Sequence, residues 1–163
     1  MQSIHIAGFV HNDIKPDNIV LGSDGFRLVD FGETVSYLTE GCHYKEDELC
    51  EHSGNLLTST ADKLSGMHPS RKSDMLNLFY TMSILIHKLP YQNFYFDNIK
   101  RVPSEAMKAS LLVWKKQCTV EKYCDDPKIK FMAPYLEEVL SMTYSEEPNY
   151  AKLKFLLVKS LLD

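Results

Sequence analysis

Residues 73–88 constrain the fold of this chain more than any other stretch. Met75, Leu78, Phe79, Met82, Leu85 and Ile86, with Leu89 just beyond, recur at helical spacing over a face too broad for a helix lying on a surface. The spacing predicts a central, largely buried helix, ended at Leu89 because Pro90 disfavours helical backbone in the residue before it. Further helices are expected at residues 104–117, opened by Pro103-Ser104-Glu105, at 131–144, and at 150–162, entered through Ser145-Glu146-Glu147-Pro148. The aromatic group Tyr91, Phe94, Tyr95 and Phe96 is expected to pack a loop.

The β signal is small. Residues 4–12 read as the last turn of a helix running into a short extended piece, Phe9-Val10. Residues 19–21 and 26–29 are β-rich runs joined by Gly22-Ser23-Asp24-Gly25, a tight-turn sequence, which predicts a hairpin. Residues 33–70 show no sustained period of either kind and are expected to form a long loop, usually a functional feature in a compact domain. The expected architecture is one unit over 1–163, mainly α with a small β-hairpin, without repeat or linker.

Composition narrows the function. A chain of 163 residues is long enough to bury a sizeable core. Its net charge of -4 and lack of a basic run argue against direct nucleic-acid binding. No apolar run is long enough for a membrane span, and the N-terminus lacks the features of a signal peptide, so an intracellular protein is expected. Cys42, Cys50, Cys118 and Cys124 are too few and too irregular for a disulfide framework. Cys42, His43, Cys50 and His52 lie close together but lack the spacing of structural zinc sites.

The chemistry lies in His11-Asn12-Asp13-Ile14-Lys15-Pro16-Asp17-Asn18 and, a little later, Asp30-Phe31-Gly32. A base must orient an attacking hydroxyl, an ammonium must neutralise a migrating phosphate, and hard oxygen donors must hold Mg²⁺. Asp13, Lys15, and the pair Asn18 and Asp30 supply that set, and the predicted hairpin carries Asn18 and Asp30 to one edge. Any of these charges alone could be a solvated surface charge; their register together argues for phosphoryl transfer. His11 is expected to be a packed structural histidine.

The spacings H-x-D-x-x-x-x-N and D-F-G match those of protein kinases. The whole chain resembles the C-terminal lobe of a protein kinase of the casein kinase 1 group, most of all the vaccinia-related kinases. Tyr44-Lys45-Glu46-Asp47, with Cys50 and Gly54, is similar to that family's activation segment. Ser70-Arg71-Lys72-Ser73-Asp74 resembles its S-R-R-x-D helix start, and Tyr144-Ser145-Glu146-Glu147-Pro148-Asn149-Tyr150 resembles its Y-x-E-x-P-x-Y. The resemblance implies a partial α+β kinase domain with the N-lobe absent, and a serine/threonine kinase acting on a protein substrate with ATP and Mg²⁺. It implies Asp13 as base, Lys15 as phosphate-binding lysine, Asn18 and Asp30 as Mg²⁺ ligands, and Asp74 as structural support of the catalytic loop. Thr58, Ser59 and Thr60 fall where the family contacts substrate. Nuclear, chromatin-linked targets are implied on the same footing.

The departures are specific. Asn12 stands in place of the usual arginine, and a neutral amide cannot make that residue's charge-assisted contact to a phosphorylated loop. The vaccinia-related kinases carry glycine there, which points to activity without loop phosphorylation. Asn55 replaces a threonine and Glu33 an apolar residue. No G-x-G-x-x-G, strand lysine with its helix glutamate, or adenine hinge precedes His11. Because positioning supplies most of the catalysis in phosphoryl transfer, the isolated chain is expected to be an inactive fragment of an active kinase. The alternatives are a non-catalytic kinase-like binding module or pseudokinase remnant, and a broken gene whose product does not fold stably.

Overall fold

The computed structural model describes residues 1–163 except 47, 52, 103 and 160–163. Asp47 of the activation-segment match, His52 of the Cys/His group, Pro103 at the expected helix opening and the expected helix end at Leu162 therefore lie outside the described residues. In chain order the elements are α1 (Gln2–Ile6), β1 (Phe9–Val10), β2 (Ile19–Gly22), β3 (Gly25–Leu28), β4 (Val35–Ser36), β5 (Leu38–Thr39) and β6 (Cys42–His43). They continue as α2 (Ala61–Leu64), α3 (Arg71–Ile86), α4 (Gln92–Asn98), α5 (Ser104–Gln117), α6 (Val120–Tyr123), α7 (Ala133–Ser141) and α8 (Tyr150–Lys159).

The axis is α3. It starts two residues before the apolar pattern because Ser70 and Ser73 form a reciprocal cap, each side chain bonded to the other's backbone N–H. Met75 and Phe79 of the predicted face are buried and Leu78 and Met82 half-buried, but Leu76 and Tyr80, outside that face, are buried too, as are Asp74, Asn77, Thr81 and Ser83. Leu85 and Ile86, expected inside, are 60% and 41% exposed. Burial continues as far as Thr81, whose Oγ1 donates to the Ile14 carbonyl (3.0 Å), and Ser83, whose Oγ donates to that of Phe79 (2.9 Å).

Around α3 the core is closed by Met107 and Leu111 of α5, Leu136 and Val139 of α7 and Leu153 of α8, with Ile129 and Met132 from the turn before α7. The expected helix at 131–144 is shorter, since a 3₁₀ turn at Lys130–Met132 precedes α7 and Met142 leaves it with ψ 144°. The aromatic group at 91–96 does not pack a loop: Phe94, Tyr95 and Phe96 lie on α4, a helix too short to show a period. Tyr91 is fully buried and donates to the Leu57 carbonyl (3.2 Å). Lys115 of α5 enters the same interior, donating to Leu57 O (3.0 Å) and to the Tyr91 hydroxyl, with its ammonium 4.3 Å from the Tyr80 ring centre and 4.2 Å from that of Tyr91. Burial drives its pKa well below the usual lysine value.

Among the described residues the strands form three two-stranded antiparallel pairs, β1 with β4, β2 with β3, and β5 with β6. The β2–β3 hairpin has the predicted form, with Ile19 opposite Leu28 and Gly22 opposite Gly25, whose φ of +119° closes the turn. The expected loop over 33–70 contains β4, β5, β6 and α2; two-residue strands are too short to show alternation. Among the described residues no helix is long and apolar enough to cross a membrane.

Leu136 and Leu140 share α7, yet the first is fully buried and the second 43% exposed. Leu136→Ala is expected to cost about 2–5 kcal/mol and Leu140→Ala under about 1 kcal/mol, read as the difference in urea unfolding free energy.

Candidate functional site

The site is built on Asp74, in the first turn of α3 and fully buried. Its Oδ2 accepts from the backbone N–H of His11 (2.7 Å) and from His5 Nε2 (3.0 Å), and its Oδ1 from the N–H of Asn12 (2.9 Å). His5 continues the chain of bonds, its Nδ1 meeting the Tyr150 hydroxyl at 2.7 Å and its carbonyl accepting from Tyr37 Oη (2.8 Å). Burial raises the Tyr150 hydroxyl to a pKa of about 12. Nothing in the sequence singled out His5, because its partners lie 69 and 145 residues away.

The loop so anchored turns sharply, with Asn12 at φ 68° in the left-handed region. Asn12 Nδ2 donates to the Glu33 carbonyl (3.0 Å), which joins two of the positions that depart from the kinase pattern. Asp13 follows, about 4% exposed. Its Oδ2 accepts from Lys15 Nζ (2.6 Å) and Asn18 Nδ2 (3.1 Å), and its Oδ1 from the Asn55 N–H (3.2 Å). Asn18 Nδ2 also donates to the Asp13 carbonyl (2.8 Å), closing the loop on itself. The hydrogen bond to Asp13 raises the Lys15 pKa, and the charges of Asp13, Asp30 and Asp17 act in the same direction.

Asn18 and Asp30 do come to one end of the hairpin: Val29 N donates to Asn18 O (2.9 Å), which sets the next residue, Asp30, beside it. Asp30 is exposed at φ 61°, with Oδ1 taking the Gly32 N–H (3.2 Å). His11 is fully buried, its Nε2 donating to Val29 O (3.2 Å) and its ring edge-on to Phe31 at 5.1 Å, so it is a packed residue.

Thr58, Ser59 and Thr60 are buried within their segment, at 2%, 1% and 1% exposure. Ser59 Oγ donates to Asn55 O (2.8 Å), and Thr60 Oγ1 accepts from Lys63 N, capping α2. A cleft of about 390 Å³ lined by Cys50, Glu51, Leu56, Ser104, Glu105 and Lys108 opens on the flank of this segment. Lys63 was not legible in the sequence. It is buried, its ammonium donates to the Asn12 carbonyl (2.7 Å), and burial lowers its pKa to about 8 against the pull of Asp13, Asp74 and Glu33. Among the described residues no three His, Cys, Asp or Glu side chains converge as a metal site, and His43 instead packs between Tyr37 and Tyr144.

No protein-family model matches the chain. Curated relatives do, over almost all of it. A casein kinase 1-like protein of rice (Oryza sativa subsp. japonica) is 30% identical over 94% of this chain and 22% of its own length. The human serine/threonine-protein kinase VRK2 is 32% identical over 96% of this chain and 32% of its own, and a monkeypox virus pseudokinase 29% identical over 98% and 55%. Over nearly its whole length the chain is similar to protein kinases of the casein kinase 1 group and of the vaccinia-related type. It spans between about a fifth and about half the length of these relatives.

Asp74→Asn turns an amide N–H toward donors that now meet a carboxylate oxygen. It is expected to cost about 3–5 kcal/mol in urea unfolding and to speed hydrogen exchange at the His11 and Asn12 amides. Lys63 gives a pH signature. Its folded pKa lies below the unfolded one, so the unfolded chain binds more protons between about pH 8 and 10.5. Wild-type stability should therefore rise through that window relative to Lys63→Met, by at most about 1.4 kcal/mol per pH unit in paired unfolding curves.

Proposed function

We propose that this chain forms the C-terminal lobe of a serine/threonine protein kinase domain and carries its phosphoryl-transfer residues. The observation that carries the reading is the Asp13 carboxylate, held at once by Lys15 Nζ, Asn18 Nδ2 and Asn55 N. Asp13 orients the substrate hydroxyl and receives its proton. Lys15 can leave Asp13 for an incoming phosphate, being only partly buried. Asn18 spends its nitrogen on Asp13, which leaves its carbonyl oxygen as a donor toward a cation, and Asp30 adds an exposed carboxylate at the same hairpin end. Two hard oxygens fit Mg²⁺. The ion would neutralise charge on the ATP phosphates there.

Residues 1–163 serve in this reading as one partial domain. Asp74 holds the loop bearing Asp13 in place through two backbone N–H groups, and Thr58, Ser59 and Thr60 shape the substrate-side segment from within. The acceptor is a serine or threonine of a protein lying along the cleft at Leu56. Nuclear, chromatin-linked targets rest on family resemblance alone. A second reading, a kinase-like module that binds without catalysis, is favoured by the similarity to the viral pseudokinase.

Transfer of labelled phosphate from Mg-ATP to casein by the full-length native protein tests the two. Asp13→Asn is expected to lower the rate by at least about 100-fold. Equal rates for variant and wild type would remove Asp13 from the chemistry. Absence of transfer by wild type, together with no thermal stabilisation by Mg-ATP, would establish the second reading. A bound nucleotide at 100 times its Kd adds about 2.7 kcal/mol.

A further inference from the structure

Lys63 is a buried cation that the motif chemistry leaves unused. Its side chain runs inward from α2, on the substrate-side segment, and is about 4% exposed. Its ammonium donates to the carbonyl of Asn12, the peptide that leads into Asp13. The same ammonium lies over Gly54, where a Cβ would stand 3.0 Å from Lys63 Nζ, 3.3 Å from Asn12 O and 3.3 Å from Asp13 Oδ1. Lys63 and Asp13 thus face each other across the bare Cα of Gly54, whose φ of +84° also favours glycine. Asn12, in the arginine position of the kinase motif, brings no charge to this place. A lysine ammonium withdrawn from water costs several kcal/mol before compensation, so a hydrophobic side chain would serve packing better.

We propose that Lys63 is a positioning residue for Asp13: from the substrate-side segment it clamps the Asn12–Asp13 peptide in its left-handed turn and supplies the positive charge behind the Asp13 carboxylate. This rests on the kinase reading for its consequence in catalysis. The placement of the base and of the substrate-side segment then become a single event, with no phosphorylated loop required to join them. Asn55 N on Asp13 Oδ1 and Lys63 Nζ on Asn12 O are the two bonds of that joint.

The test uses the full-length native protein with Mg-ATP and casein. Lys63→Met is expected to lower kcat by about 10- to 100-fold while the KM for ATP stays within about twofold, and Lys63→Arg, which keeps the charge, to recover most of the loss. Lys63→Gln, neutral and one atom too short for its amide to reach Asn12 O, covers the case in which Lys63→Met does not fold; its kcat should stay low. Wild-type kcat in Lys63→Met or Lys63→Gln overturns the proposal. If wild type transfers no phosphate, the kinase reading falls, and hydrogen exchange decides on Lys63 separately. The Asp13 and Asn55 amides should then exchange about tenfold faster in Lys63→Met or Lys63→Gln than in wild type and Lys63→Arg, with the Phe79 amide unchanged. Unaltered exchange at Asp13 and Asn55 overturns the clamp.

Discussion

The buried carboxylate of Asp74 is the interaction on which the rest depends. A carboxylate withdrawn from water is stable only when its oxygens are fully engaged, and here they take two backbone N–H groups and an imidazole. Those donors come from α1 and from the loop at His11 and Asn12, more than sixty residues before α3. Through His5 the connection reaches the Tyr150 hydroxyl at the start of α8. The first helix, the Asp13 loop, the central helix and the last helix are therefore fixed to one another by a single charged group and its bonds.

A second set of bonds holds the same loop from the opposite side. The 54–64 segment reaches it through Asn55 N and Lys63 Nζ, and that segment is itself moored to the core where Lys115 and Tyr91 share the Leu57 carbonyl. Between the two sets, Asn12 sits at a positive φ of 68°. Side chains other than glycine keep such backbone only where the surroundings over-determine it, which is the situation produced by holding one short loop from both flanks.

Two lysines on either side of Asp13 show how placement decides their behaviour. Lys15 is partly open to solvent and bonded to the carboxylate itself, so its pKa rises. Lys63 bonds a carbonyl and lies inside, so desolvation outweighs the attraction of the surrounding carboxylates and its pKa falls to about 8. One is suited to exchange its partner for a phosphate and the other to stay where it is. Departures at Asn12 and Glu33 are likewise related in space, since the Asn12 amide donates to the Glu33 carbonyl.

The sequence by itself determined the short-range features. The apolar period predicted the central helix, the Gly22 to Gly25 turn the hairpin, and motif spacing the meeting of Asp13 with Lys15 and Asn18, because each rests on neighbours along the chain. Elements of two to seven residues, such as β4, β5, α2 and α4, left no periodic signal to read. Tertiary structure alone decided which polar groups would be buried. His5 on Asp74, Lys63 on Asn12 O and Lys115 among Tyr80 and Tyr91 each join residues dozens of positions apart, and the burial of a charged side chain depends on partners that only the folded chain brings together.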